Sequence, residues 1–215
     1  MTIKILIADD HQIIREGIRS MLERENDMEV LGEAEDGRAA ARMARELGPD
    51  IIVMDVCMPE MNGIVATGVI LSEFPKIKVL ALSALDDRRF VYNMLRAGAS
   101  GYLIKDCSFK ELVRAIRLVI ANRTYLSPGI MDVVVKDYVR PPAHSAPPYT
   151  SDLTLREKEV LQLVAEGHSS AQIAHSLNVS VKTIDTHRQS LLAKINARGV
   201  AGLTKYAIRE GLTSV

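Results

Sequence analysis

Ile51-Ile52-Val53-Met54-Asp55, followed by Val56-Cys57-Met58-Pro59-Glu60-Met61-Asn62-Gly63, decides the fold of this chain. Four apolar residues run into a lone carboxylate, and the loop behind it carries Pro59, Asn62 and Gly63. A continuous Ile/Val run reads as a strand buried on both faces, the habit of parallel sheets. Asp55 then stands at the carboxyl end of that strand, where open α/β sheets place their ligands and chemistry.

Upstream, Ile3 to Ala8 reads as a first strand ending in Asp9-Asp10. Ile14, Ile18, Met21 and Leu22 fall at helical spacing and predict an amphipathic helix from about Gln12 to Glu23. Glu29 to Ala34 is a second strand. Asp36 is an N-cap for a helix to about Leu47, which Gly48-Pro49 stops. Downstream, Ile64 to Glu73 is helical and Pro75 ends it. Val79 to Leu82 is a fourth strand finishing at Ser83. Phe90, Val91, Met94 and Leu95 mark the next helix. Gly101 to Ile104 is a fifth strand, then comes Lys105, and Leu112, Val113, Ile116, Val119 and Ile120 define a fifth helix. Strands alternating with helices in this way imply a flavodoxin-like (βα)5 domain, with a parallel sheet in the order 2-1-3-4-5.

The 215 residues suit one large domain or two small ones. With 27 basic and 27 acidic residues, any nucleic-acid binding must rest on local positive charge. No run of 18 apolar residues exists, so no membrane span is expected, and the first apolar run is too short for a signal peptide. Cys57 and Cys107 lack metal spacing and are expected to be reduced thiols in a cytoplasmic protein. Ile130 to Tyr138 reads as a short helix, and residues 141–148 hold four prolines. The domains expected are therefore 1–123, a helical and Pro-rich linker over 124–150, and 151–215.

In the 2-1-3-4-5 order the first and third strands are neighbours, which brings Asp9, Asp10 and Asp55 together. Two carboxylates about 5 Å apart repel by roughly 3 kcal/mol at an effective dielectric near 20. A divalent cation balances such a cluster, and oxygen-only ligands beside phosphate chemistry point to Mg²⁺. Lys105 and Ser83 end the fifth and fourth strands and edge the same pocket, where an ammonium and a hydroxyl can meet phosphate oxygens.

These residues resemble the receiver domain of two-component response regulators. Asp9-Asp10, Met54 to Gly63, Leu82-Ser83-Ala84 and Gly101 to Lys105 carry the likeness, which covers residues 3 to about 121. The resemblance implies that a partner histidine kinase phosphorylates Asp55. It implies that Asp10 and Asp55 coordinate Mg²⁺, with Asp9 orienting through water and the Cys57 backbone carbonyl as a further ligand. It also implies a switch in which the Ser83 hydroxyl moves to the phosphoryl group and the Tyr102 ring turns inward. Many receivers have proline after the lysine; this chain has Asp106.

The last 65 residues read as four helices. Thr154-Leu155-Arg156-Glu157 fits a capping box, and Val160, Leu161, Leu163 and Val164 give that helix its apolar side. Ser169 or Ser170 caps a second helix, Asn178 makes a tight turn, and Ser180 caps a third from Val181 to about Ile195. Two helices joined by a short turn form a helix-turn-helix, whose second helix enters the major groove. From residue 151 on there are 8 Lys and Arg against 6 Asp and Glu, a balance of +2. Leu153 to Leu161, Ile173-Ala174, Val181 to Arg188 and Tyr206 to Leu212 resemble the NarL/FixJ/LuxR-type DNA-binding domain. The resemblance implies that Lys182, Thr183, His187 and Arg188 contact phosphates or base edges, that Asp185, Thr186 and Gln189 read bases, and that the last helix dimerises. Many members have lysine at the place of Asp185.

The reading is a DNA-binding response regulator, not a turnover enzyme, although it accepts a phosphoryl group and can lose it by hydrolysis. Its expected partners are a sensor histidine kinase, double-stranded DNA with inverted half-sites and a second copy on activation, with RNA polymerase a further candidate. One alternative is a phosphorylation-independent transcription factor using the receiver for dimerisation. Another is a metal-dependent phosphohydrolase, which would need a second acid close after Asp55, where the chain has Val56-Cys57-Met58-Pro59.

Overall fold

A computed structural model describes residues 2–84, 87–139 and 153–213. The chain divides into two units, Met1–Pro148 and Tyr149–Val215.

The first unit is a parallel sheet with helices on both faces. Its strands are β1 (Ile3–Ala8), β2 (Met28–Ala34), β3 (Ile51–Met54), β4 (Lys78–Ser83), β5 (Gly101–Ile104) and β6 (Tyr125–Leu126), in the order β2-β1-β3-β4-β5-β6. The first five strands follow the expected order. Every side chain of β3 is buried, as its unbroken apolar run requires. The helices are α1 (Gln12–Leu22), α2 (Gly37–Leu47), α3 (Gly63–Glu73), α4 (Arg88–Arg96) and α5 (Phe109–Ile120). Asp36 caps α2 by accepting from the Ala39 amide, Asn62 caps α3 through the Val65 amide, and Ser108 caps α5. Gly48, at φ 56°, ends α2 in the left-handed conformation open to glycine.

The expected 124–150 linker begins with regular structure. Tyr125 and Leu126 pair with Gly101 and Tyr102 as a sixth strand, and the Ser127 amide donates to the Tyr102 carbonyl at 3.0 Å. Helix α6 (Pro128–Val139) follows, with Ile130 fully buried. A two-residue strand has no periodicity to read, so only its pairing with β5 reveals it. The proline-rich stretch lies outside the described residues.

Among its described residues the second unit holds four helices: α7 (Leu155–Ala165), α8 (Ser170–Ser176), α9 (Val181–Lys194) and α10 (Gly199–Arg209). Thr154 and Glu157 form the expected capping box, Ser169 and Ser180 cap α8 and α9, and Asn178 turns the chain at φ 51°. Val160, Leu161, Leu163, Ile173, Ile184, Leu191 and Ala207 are buried at its centre. No helix among the described residues is long and apolar enough to cross a membrane.

Candidate functional site

Strand register builds the first site. Ala8 pairs with Met54, so Asp9 and Asp55 emerge side by side, and the Asp55 amide donates to the Ala8 carbonyl at 2.7 Å. Ser83 pairs with Ile104, and the Lys105 amide donates to the Ser83 carbonyl at 2.8 Å. Lys105 Nζ thereby reaches both acids, at 2.7 Å from Asp9 Oδ2 and 2.7 Å from Asp55 Oδ2. Asp9 and Asp55 are 2% and 4% exposed, while Asp10 faces solvent.

Burial raises the Asp55 carboxyl above the ordinary carboxylate range, against the opposing pull of the Lys105 ammonium. Burial also works to lower the Lys105 ammonium, but hydrogen bonds to Asp55 and Asp9 prevail and raise it. Besides Lys105, among the described residues Asp55 accepts only a long bond, 3.4 Å, from the Cys57 amide. The Cys57 thiol is pushed up to about 12 and the Cys107 thiol to about 11, both chiefly by burial, so neither is a reactive thiolate at neutral pH.

The loop behind Asp55 is packed to contact. A Cβ on Gly63 would stand 2.0 Å from the Asp55 carbonyl oxygen, and the Gly63 amide donates to the Val56 carbonyl at 2.9 Å. Glycine is required there by close approach.

Side-chain donor atoms of Asp9, Asp10, His11 and Asp55 all lie within 4.8 Å of one another. Ionised, Asp9, Asp10 and Asp55 against Lys105 leave two uncompensated negative charges. This donor set suits a hard divalent cation. The tyrosine and serine of the expected switch are both buried, Tyr102 wholly so in β5 and Ser83 at the end of β4.

On α9, Lys182, Thr183, Asp185, Thr186 and Gln189 are exposed, while Ile184 and Leu191 are buried. Residues 182, 185, 186 and 189 follow i, i+3, i+4, i+7 and share one face. His187 and Arg188 are half-buried, and Arg188 Nη1 donates to Ser170 Oγ at 3.1 Å. Arg188 thus ties α9 to the start of α8.

Comparison with known proteins accords with both units. The response regulator receiver domain matches residues 5–117, and the luxR family of bacterial regulatory proteins matches residues 151–207. The oxygen regulatory protein NreC of Staphylococcus carnosus (strain TM300) is 36% identical over 214 residues, 97% of this chain and 98% of that protein. This chain belongs to the LuxR-family two-component response regulators. A response regulator of that family from Aurantimonas sp. SI85-9A1 superposes with a TM-score of 0.62 at 37% identity, covering 65% of this chain and 100% of that one. RcsB from Salmonella enterica serovar Typhimurium, bound to promoter rprA in the presence of the phosphomimetic BeF3−, superposes with a TM-score of 0.62 at 26% identity over 100% of both chains.

Two residues of this response regulator gain a part that sequence reading did not give them. His11 joins the acidic cluster: its amide donates to Asp9 Oδ1 at 2.9 Å, and its Nδ1 lies 2.8 Å from Asp10 Oδ1. A lone histidine in a loop carries no spacing signal. Glu157, read as a capping residue, also reaches α9. Lys194 Nζ lies 2.8 Å from its Oε1, and Ser190 Oγ lies 3.3 Å from the same atom.

Proposed function

We propose that Asp55 takes the phosphoryl group from the phosphohistidine of a sensor kinase, and that this event controls DNA binding by α9. The observation that carries the proposal is the delivery of Asp9, Asp55 and Lys105, from three strand ends, into one buried cluster.

An Asp55 carboxylate oxygen attacks phosphorus; the new O–P bond forms as the P–N bond to the kinase imidazole breaks, and that nitrogen keeps the electron pair. Asp55 suits this role because its Oδ1 accepts only a long bond of 3.4 Å among the described residues, which leaves that oxygen weakly held. Lys105 stands within reach of the oxygens on which charge develops. Asp9, Asp10 and Asp55, with the Cys57 carbonyl, would hold Mg²⁺, which when bound neutralises charge on the phosphoryl oxygens. Ser83 and Tyr102 serve as the switch, and the burial of both on neighbouring paired strands supports that assignment. The acyl phosphate hydrolyses in time, so the mark is transient.

In the second unit, Lys182, Thr183, Asp185, Thr186, His187, Arg188 and Gln189 form the DNA-facing set. The shared exposure of 182, 185, 186 and 189 supports base reading from that face. Phosphorylated chains pair and read inverted half-sites, as a two-fold protein does. The receiver runs through β6 and α6 and the DNA-binding domain starts near residue 151.

The test combines labelling with binding. Wild type is expected to be labelled by a small-molecule phosphodonor with Mg²⁺ and to tighten on operator DNA, while Asp55→Ala does neither. Equal labelling of Asp55→Ala would remove Asp55 from this role. Equal DNA affinity with and without the phosphodonor would favour a receiver that serves dimerisation alone.

A further inference from the structure

Lys194 belongs by sequence to the basic residues of the recognition helix, yet its charge is already taken. Its Nζ lies 2.8 Å from Glu157 Oε1 and 2.9 Å from Oε2. Glu157 is 5% exposed. It also accepts from the Thr154 amide at 2.9 Å, from Thr154 Oγ1 at 3.1 Å and from Ser190 Oγ at 3.3 Å. One carboxylate therefore fastens the first turn of α7 to two positions, Ser190 and Lys194, one turn apart on α9.

The neighbouring residue makes a matching tie. Arg156 Nη2 donates to the Leu177 carbonyl, at the C-cap of α8, at 3.1 Å, and its Nη1 pairs with Glu159 at 2.6 Å. Adjacent side chains of α7 thus grip both helices of the helix-turn-helix. The direction of Lys194 agrees. At about 100° per residue, a residue 12 places beyond Lys182 sits about 120° round the helix from it. Lys194 is on the flank of α9, off the face shared by 182, 185, 186 and 189.

We propose that Glu157 is a positioning residue for DNA recognition, setting the pose of α9, and that Lys194 is its internal counter-ion and not a phosphate contact. This rests on the DNA-binding reading of α9. The partner of Lys194 is a buried acid whose other bonds are all made, so moving the ammonium to a phosphate would strand a carboxylate in the domain interior.

The experiment measures binding of the full chain, with phosphodonor present, to a random-sequence duplex across a salt series, well below the melting transition of every variant. Each lost phosphate contact flattens the plot of log affinity against log salt by about 0.9. Lys182→Met is expected to flatten it by that amount. Lys194→Met is expected to leave the slope unchanged and to lower affinity at every salt concentration by roughly tenfold, the scale of one charge-assisted hydrogen bond. Lys194→Arg restores affinity. Glu157→Gln reproduces the Lys194→Met loss, and the double variant is no worse than either alone. A flatter slope for Lys194→Met would overturn the proposal by making Lys194 a phosphate contact. A lowered melting temperature with unchanged affinity would overturn it by making Glu157 merely structural. Should Glu157→Gln fail to fold, the half-exposed Lys194 variants decide alone. Failure of the wild type to bind any duplex would instead sink the DNA-binding reading itself.

Discussion

Each unit of this protein buries a carboxylate against a lysine, and the two are built to opposite ends. Asp55 meets Lys105 at 2.7 Å, shares that lysine with Asp9, and among the described residues otherwise accepts one long bond of 3.4 Å. Glu157 meets Lys194 with both oxygens and takes further bonds from the Thr154 amide and hydroxyl and from Ser190. Burial wins at Asp55 and raises its carboxyl. At Glu157 burial also pushes up, but Lys194 and Thr154 prevail and hold the carboxyl down at about 2. On the functions proposed above, the under-supplied buried anion is the one that reacts and the fully supplied one is a fastener.

The largest effect is expected where the proposed phosphoacceptor site is packed most tightly. Gly63→Ala drives a methyl into the Asp55 carbonyl, 2.0 Å away, and should cost about 3 kcal/mol or more, together with phosphodonor labelling. Urea unfolding followed by circular dichroism measures the first, and mass spectrometry the second. Near-wild-type stability would show that the loop can yield and that the site is looser than its contacts imply.

Next comes the fastener. Glu157→Ala should destabilise the DNA-binding domain by about 2 kcal/mol, through loss of the cap and the charged bonds, seen as faster amide exchange in α9. Acid should imitate it. A carboxyl held at about 2 against an ordinary 4.5 stabilises the fold fully above pH 4.5, and that contribution fades as pH falls toward 2. Asp55 has the opposite sign: its raised carboxyl costs the fold once pH rises past the ordinary 3.8 and the folded group ionises. Amide exchange along a pH series should therefore weaken the two units differently, and parallel curves would break the comparison.

Smaller still, Asp55→Asn should leave the receiver as stable as wild type or firmer by about 1 kcal/mol, although it abolishes labelling. A marked loss of receiver stability would make Asp55 a structural carboxylate like Glu157. The smallest effect concerns Cys57. With its thiol up at about 12, alkylation by iodoacetamide at neutral pH should be far slower than for a free cysteine.

Most of the fold was open to reading because its signals are local. The run Ile51 to Met54, the cap at Asp36, the stop at Gly48 and the capping box at Thr154 each depend on neighbours within a few residues. Strand β6 was closed to reading, since two residues have no pattern and their strand character exists only against Gly101 and Tyr102. Asp9, Asp55 and Lys105 could be gathered from sequence because sheet order follows general rules of handedness and connection. His11 and the partners of Arg188 and Lys194 could not, because they depend on side-chain reach after packing.

The amino-acid sequence alone determined the alternation of strands and helices, the acids and lysine at the strand ends, and the two-part, family-level character of the chain. Periodicity and turn chemistry act over a few residues and survive without coordinates. Tertiary structure alone decided how each buried charge is supplied: one lysine shared between two acids in the receiver, and one acid gathering the donors of two helices in the DNA-binding domain. The reason is that hydrogen bonding and burial depend on atoms far apart in the chain, and those two quantities separate the carboxylate proposed to react from the one proposed to hold.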